Sequence, residues 1–211
     1  MITSLPAQTW QNPFQKVEIP SSIDQNRQPA WFYRALGEAP RPLVVSLHTW
    51  SGDYNQEDTL AQMCIEKNYH YIHPNFRGQN NRPEACGSEL AIQDIDDAIA
   101  YALENAYVDS NEIHITGTSG GGYATLLMYM KTRFPVKTFA AWVPISDIGK
   151  WYYESKGRGN KYALEIAKAT NPGREMNNEN HSLGKEEAHK RSPMYMSTPT
   201  EKRQESKLFV Y

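Results

Sequence analysis

The chain has 211 residues, of which 39% are hydrophobic and 22% are charged, with a formal net charge of −2 and a pI of about 6.3. This length suits one hydrophobic core and is short for two. A near-neutral charge gives no electrostatic reason to expect a nucleic-acid partner, and no apolar run is long enough to span a bilayer. The opening residues MITSLPAQTWQNP lack the basic start and apolar centre of a signal peptide, which favours a cytoplasmic location.

Short apolar segments alternate with amphipathic ones along the chain. The first two strand patterns flank a polar turn and predict an antiparallel pair, whereas the almost wholly apolar third is typical of a strand covered on both faces. The predicted strands lie at residues 16–20, 30–36, 43–47, 69–75, 112–116, 138–146 and 207–211. The predicted helices lie at residues 57–67, 88–106, 120–130 and 161–170.

The second of these helices has the strongest pattern, since Ile92, Ile95 and Ile99 recur every three or four residues and Ser88 is a suitable N-cap. Residues 174–191 are polar and charged, which predicts a solvated surface loop. Strands that alternate with helices indicate a parallel sheet with helices on both faces. The sequence therefore predicts a single α/β domain.

The segment HITGTSGGGYATLLMYM (114–130) begins as a buried strand, turns through GTSGG and continues as an apolar helix. A serine hydroxyl becomes a nucleophile only when it is held exposed and a base removes its proton. A tight turn between Gly117 and Gly121 would project Ser119 above the sheet, and the first amides of the helix, such as that of Gly120, would stabilise an oxyanion. The alternative is a glycine-rich loop that only allows close packing. A phosphate-binding loop fits less well, because no GxxxxGK(S/T) pattern is present.

The stretch VDSNEIHITGTSGGGYATL resembles the nucleophile region of α/β-hydrolases, most closely that of the prolyl oligopeptidase-like serine hydrolases, which include peptidases and esterases. LVVSLHTWSGDY is similar to the family's third strand and oxyanion loop, and HPNFRGQNNRPEACG to the strand and Arg-Gly loop that follow. DIDDAIAYALENAYVDSNEI is similar to the helix before the nucleophile strand. The resemblance implies a three-layer α/β-hydrolase-type sandwich, with a mostly parallel sheet and antiparallel N-terminal strands.

The resemblance also implies a second oxyanion donor from the loop after the third strand. That loop reads HTWSG at residues 48–52, where the family usually has His-Gly-Gly or similar. The backbone N–H of Trp50 matches the donor position, although Thr49 and Trp50 lack the conformational freedom of glycine. His48 resembles the family's structural loop histidine, so we expect it to be buried and hydrogen-bonded rather than catalytic.

In this fold the catalytic acid and base follow the serine in the order Asp or Glu, then His. The family implies an acid after the strand that KLFVY (207–211) resembles, and a histidine further on. Both would lie beyond Tyr211, and the domain at 1–211 would be incomplete at its C-terminus. Asp147 is the alternative acid, but its position favours a helix cap or a turn. His181 and His189 lie in a polar segment and are expected to be solvated.

Trp151, Tyr152 and Tyr153 lie in residues 150–192, which we interpret as a cap-like or lid-like insertion. The three aromatic side chains either line a substrate pocket above Ser119 or pack on the core as part of a lid, and the sequence favours neither.

Three further residues outside this motif have structural interpretations. Arg77 is expected to form an ion pair with Asp or Glu and to position its loop. Cys64 and Cys86 are expected to be buried thiols, because neither belongs to a CxxC motif or a Cys/His cluster.

These patterns predict a serine hydrolase that cleaves a peptide or a small-molecule ester through an acyl-enzyme on Ser119, with no metal or organic cofactor. One alternative is a carbohydrate or small-molecule acyl esterase, since the short N-terminal part has no room for the propeller domain of the larger family members. The other alternative is a non-catalytic fragment or binding module that keeps the fold.

Overall fold

The structure of the protein is a computed structural model that describes Trp10 and residues 12–211. Most of the segment that argues against a signal peptide lies outside these residues. The strands are β1 (Gln15–Pro20), β2 (Arg27–Tyr33), β3 (Arg41–Leu47), β4 (His70–Pro74), β5 (Val108–Thr118), β6 (Thr138–Trp142) and β7 (Lys207–Val210). The helices are α1 (Thr59–Lys67), α2 (Glu89–Asn105), α3 (Gly120–Lys131), α4 (Ile148–Gly157), α5 (Tyr162–Thr170), α6 (Lys185–Lys190) and α7 (Thr200–Glu205), with a 3-10 turn at Pro193–Tyr195. No helix in this part of the chain is long and apolar enough to cross a membrane.

The seven strands form one mixed sheet in the order β1-β2-β4-β3-β5-β6-β7. The pairs β1–β2 and β2–β4 are antiparallel, and the remaining four pairs are parallel. The predicted antiparallel opening and the parallel sheet after it are therefore confirmed. The carboxyl ends of β3, β5 and β6 meet at one edge of the sheet, where the loops that follow them are brought together.

Both faces of the sheet are covered, because alternate residues of β3 enter two different apolar clusters. Leu43 and Val45 pack in the large core that includes the buried faces of α2 and α3. Val44 points to the opposite side, where it packs with Ala61 and Cys64 of α1. Helices thus lie on both faces, as the sequence predicts.

The predicted cap of the second helix is confirmed, since the Ser88 side chain accepts a hydrogen bond of 3.1 Å from the amide of Ala91. The prediction of buried thiols is confirmed as well. Cys64 and Cys86 are both free and buried, and burial raises the pKa of each thiol to about 12.

The predicted surface loop at residues 174–191 is wrong in its last part. Lys185–Lys190 forms α6, which buries Ala188, and the side chain of Arg191 donates to the carbonyl of Pro83 at 2.9 Å. The sequence KEEAHK contains a single apolar residue, so it has no hydrophobic periodicity that would indicate a helix.

The predicted strand at 138–146 is too long. The observed strand ends at Trp142, and the next residue, Val143, has a positive φ of 39°.

Candidate active site

Ser119 occupies a sharp corner between β5 and α3. Its backbone has φ 57° and ψ −114°, a conformation that side-chain-bearing residues rarely adopt. The Ser119 amide donates to the carbonyl of Trp142 at 2.9 Å, and the Ser119 carbonyl accepts from the amide of Tyr123 at 2.9 Å. The side chain is half-buried, and its hydroxyl has no hydrogen-bond partner within the described residues. The corner therefore holds a serine hydroxyl that forms no hydrogen bond within the described structure.

The glycines of the corner allow three backbone segments to touch. A Cβ on Gly120 would lie 2.2 Å from the backbone nitrogen of Trp50, and one on Gly121 would lie 2.2 Å from the carbonyl oxygen of Leu47. Neither position has room for a side chain. The first turn of α3 consequently lies directly against the loop at residues 48–52, which follows β3.

This contact brings together two backbone amides that donate no hydrogen bond within the described structure. Neither the Gly120 amide nor the Trp50 amide donates a hydrogen bond to any acceptor in the described part of the chain. The first amides of a helix have no partner inside the helix, so the Gly120 N–H belongs to a group that commonly binds an anion. Two such amides can donate to one anionic oxygen, and here they lie next to the residue that carries the unpaired hydroxyl.

His48 is held in the structure by both of its ring nitrogens. Nδ1 lies 2.9 Å from the carbonyl oxygen of Thr49, Nε2 lies 2.9 Å from that of Asn75, and the ring stacks on Phe76 with centroids 3.9 Å apart. Burial lowers the pKa of His48, and the two carbonyl contacts oppose that shift. The expectation of a buried, hydrogen-bonded histidine is confirmed.

Arg77 fastens the loop after β4 to the rest of the domain. Its guanidinium binds Asp24 at 2.8 Å and Asp94 at 2.6 Å, and the Asp94 carboxylate is completely buried. The same loop returns to the site, because the amide of Asn80 donates to the carbonyl of Trp50 at 3.0 Å. The predicted ion pair of Arg77 is confirmed, and it supports the loop that contacts Trp50.

None of the six histidines of the sequence, all of which lie in the described part, hydrogen-bonds to Ser119. His181 contacts the hydroxyl of Tyr152 at 3.2 Å, and His189 stacks on Tyr195. The other four contact backbone or side-chain groups away from the serine; they are His48, His70, His73 and His114. The described residues also hold no cluster of three or more His, Cys, Asp or Glu suited to a metal ion.

Asp147 has a structural role at the start of α4. It is the N-cap of α4, where its side chain accepts from the amide of Lys150 at 2.9 Å and from the hydroxyl of Tyr195 at 2.7 Å. Burial raises the pKa of this carboxyl, but the hydrogen bonds outweigh it and the net shift is downward. The expectation that Asp147 caps a helix is confirmed.

The three aromatic residues of α4 lie in different surroundings. Trp151 contacts the ring of Trp50 edge-on, with centroids 4.7 Å apart, and stacks on Tyr162. Tyr152 is buried, and its hydroxyl is used by His181. Tyr153 is 55% exposed. The structure thus brings Trp151 to the 48–52 loop, whereas Tyr152 packs in the core and Tyr153 faces solvent.

The carboxyl end of β7 lies next to the serine corner. Tyr211 stacks on Trp142 at 4.1 Å and its carbonyl accepts from the amide of Val143 at 2.7 Å. Trp142 is also the residue whose carbonyl binds the Ser119 amide. A cavity of about 250 Å³ opens beside this corner and is lined in part by Thr49, Thr118 and Trp142.

Comparisons with known proteins show which sequences and folds the chain resembles. A sequence profile of the prolyl oligopeptidase family (Peptidase S9) matches residues 55–198, which is more than half of the chain. Dipeptidyl aminopeptidase BIII of Pseudoxanthomonas mexicana is 29% identical over 117 residues, which cover 51% of this chain and 16% of that protein.

Two solved structures show the same fold at low sequence identity. Acylaminoacyl peptidase of Pyrococcus horikoshii superposes with a TM-score of 0.69 at 18% identity, covering 98% of this chain and 37% of that one. An esterase of Pyrobaculum calidifontis has a TM-score of 0.54 at 21% identity, covering 67% of this chain and 48% of that one. The chain therefore spans less than half the length of each of these relatives.

Proposed function

Because the chain belongs to the prolyl oligopeptidase family, we propose that it is a serine hydrolase that cleaves ester or amide bonds through an acyl-enzyme on Ser119. The observation that carries the proposal is the strained corner at φ 57°, which holds an unpaired hydroxyl against two unpaired amides. A conformation of this kind costs about 1–3 kcal/mol and is kept mainly where function requires it.

In the proposed reaction, the Ser119 oxygen attacks the substrate carbonyl carbon and its proton passes to a base. The carbonyl bond electrons move to the oxygen, which accepts hydrogen bonds from the amides of Gly120 and Trp50. Each such donor typically contributes about 3–4 kcal/mol to lowering the barrier. The tetrahedral intermediate then expels the alcohol or amine, which takes the proton, and water later hydrolyses the acyl-serine.

We further propose that the acid and the base come from residues outside positions 1–211. Each of the six histidines is engaged away from Ser119, and Asp147 caps α4. The carboxyl end of β7 lies beside the corner, so residues following Tyr211 would enter the structure within a short distance of Ser119. In α/β-hydrolases the triad members follow the serine in the order acid, then histidine.

The proposed substrate is a peptide or a small ester, as the names of the relatives suggest. Residues 150–192, which include most of α4 and all of α5 and α6, form the proposed cap on the single domain. The contact of Trp151 with Trp50 in the 48–52 loop supports this cap, because it would place Trp151 at the rim of the substrate site.

A fluorophosphonate probe, which phosphonylates activated serines, tests the nucleophile. We expect the natural full-length protein to be labelled, Ser119→Ala to lose the label, and the control Ser110→Ala, at an exposed serine on β5, to keep it. The chain ending at Tyr211 should react at least about 10³-fold more slowly, because activation depends on the histidine. Equal labelling of Ser119→Ala and the unaltered protein would exclude the mechanism, and equal rates for the short and long chains would place the base within residues 1–211.

A further inference from the structure

Trp50 is fixed at its indole end by a residue 115 positions away. The Trp50 Nε1–H donates a 2.8 Å hydrogen bond to the Glu165 carboxylate on α5. Trp50 is 2% exposed and the Glu165 side chain is 15% exposed, so the bond is largely shielded from water. A hydrogen bond to an ionised acceptor in such a place is stronger than a neutral one.

The residue just before α5 binds the next residue of the 48–52 loop. Lys161 lies four residues before Glu165, forms an ion pair with it at 3.2 Å, and donates to the hydroxyl of Ser51 at 2.8 Å. On the other side, the side-chain oxygen of Gln56 accepts from both the amide and the hydroxyl of Thr49, at 2.9 and 2.6 Å. Three consecutive loop residues are therefore anchored through side chains.

The Trp50 ring also packs against two aromatic neighbours. Trp151 contacts it edge-on at 4.7 Å, and Tyr123 of α3 lies with its ring centroid 6.1 Å away. At the other end of the residue, the backbone nitrogen of Trp50 lies against Gly120, where a Cβ would approach it to 2.2 Å. A shift of the indole would consequently be passed to the amide that faces the serine corner.

We propose that Glu165 is a positioning residue that holds the Trp50 backbone N–H in place as the second oxyanion donor. This inference rests on the proposed function. Glu165 acts through Trp50 and does not itself contact the reacting atoms. The family pattern that this loop resembles has glycines here, whereas this chain has Thr49, held by Gln56, and Trp50, held by Glu165 of α5. The proposal also couples the 150–192 segment to the reaction, because α5 belongs to it.

The test compares Glu165→Ala, Glu165→Gln and a matched control, Glu154→Ala. Glu154 forms an i,i+4 ion pair with Arg158 on α4, as Glu165 does with Lys161 on α5, but it is exposed. In the natural full-length protein we expect Glu165→Ala to lower kcat by roughly 10–100-fold, since a 1 Å misplacement can cost about 10²-fold. KM should change less than about 3-fold, because the oxyanion bonds strengthen only in the transition state. Glu165→Gln retains an oxygen acceptor and should recover most of kcat.

A second measurement does not depend on catalysis. The Trp50 indole N–H resonance, identified in a ¹H–¹⁵N spectrum by its loss in Trp50→Phe, should shift and exchange with solvent at least about 10-fold faster in Glu165→Ala. The same resonance should stay in place in Glu154→Ala.

The two proposals fail in different ways. An unreactive Ser119 in the unaltered protein would overturn the hydrolase proposal and the role of Glu165 together. A reactive Ser119 whose kcat is unchanged in Glu165→Ala, while the indole resonance shifts, would overturn only the positioning role. If Glu165→Ala does not fold, Trp50→Phe removes the same hydrogen bond and keeps a smaller aromatic ring, and an unchanged kcat in that variant would overturn the positioning role as well.

Discussion

Substituting Gly120 by alanine tests how closely α3 must approach the 48–52 loop. The added Cβ would lie 2.2 Å from the Trp50 nitrogen, 2.4 Å from its Cα and 2.8 Å from its Cβ, whereas ordinary contacts begin near 3.4 Å. The Trp50 backbone would have to withdraw by more than 1 Å. Such overpacking costs about 1–3 kcal/mol. For a domain of this size the loss corresponds to a Tm lower by roughly 2–12 °C.

The matched control is Gly157→Ala, at the end of α4. A Cβ there has nothing within 4 Å, and alanine in a helix is favoured over glycine by up to about 1 kcal/mol. Thermal unfolding followed by circular dichroism measures both variants, and fluorophosphonate labelling measures Ser119. We expect Gly120→Ala to lose about 10²-fold in labelling rate, because the Trp50 donor is displaced. A Gly120→Ala protein that matches Gly157→Ala in Tm and in labelling rate would refute the close packing of these two amides.

Three further predictions concern charge, pH and strain. Arg77→Met should lower the free energy of unfolding in urea by about 3–5 kcal/mol, because it leaves the buried Asp94 carboxylate without its partner. Burial, with a smaller contribution from His48, lowers the pKa of His73 below its usual value of 6.5, so below that pH the folded state binds fewer protons than the unfolded state. The free energy of unfolding should therefore be highest above about pH 6.5 and decrease as the pH falls below it, and His73→Gln should reduce that decrease. Ser119→Gly should abolish labelling yet raise the Tm above that of Ser119→Ala, because only glycine adopts φ 57° and ψ −114° without strain; equal Tm values would argue against strain at the corner.

The positions of the strands along the chain and the serine corner could be predicted because local patterns specify them. The apolar run of β3, the isoleucine spacing of α2 and the glycines around Ser119 each carry their structural meaning within a few residues. The helix α6 was missed for the opposite reason. Its sequence has one apolar residue, and its stability comes from packing and from hydrogen bonds of Arg191 to carbonyls about a hundred residues earlier in the chain.

Glu165 could not be found from the sequence for a similar reason. A glutamate four residues after a lysine on a predicted helix is typical of an exposed ion pair, and that pair does exist here. Its second contact, to the indole of Trp50, depends on how α5 folds back over the 48–52 loop. No pattern in either segment indicates this contact.

The strain at Ser119 favours the nucleophile interpretation of the glycine-rich corner over the packing interpretation. If the corner served only to pack α3 against β3, glycine at position 119 would provide the same backbone without the cost of a positive φ, which is about 1–3 kcal/mol for other residues. Glycine is present at positions 117, 120, 121 and 122, so the sequence supplies it where a close approach demands it. At position 119 the chain instead retains a hydroxyl that no group in the described structure binds. A side chain that lowers stability and forms no hydrogen bond is best explained by chemistry at its hydroxyl. The labelling experiment tests that premise.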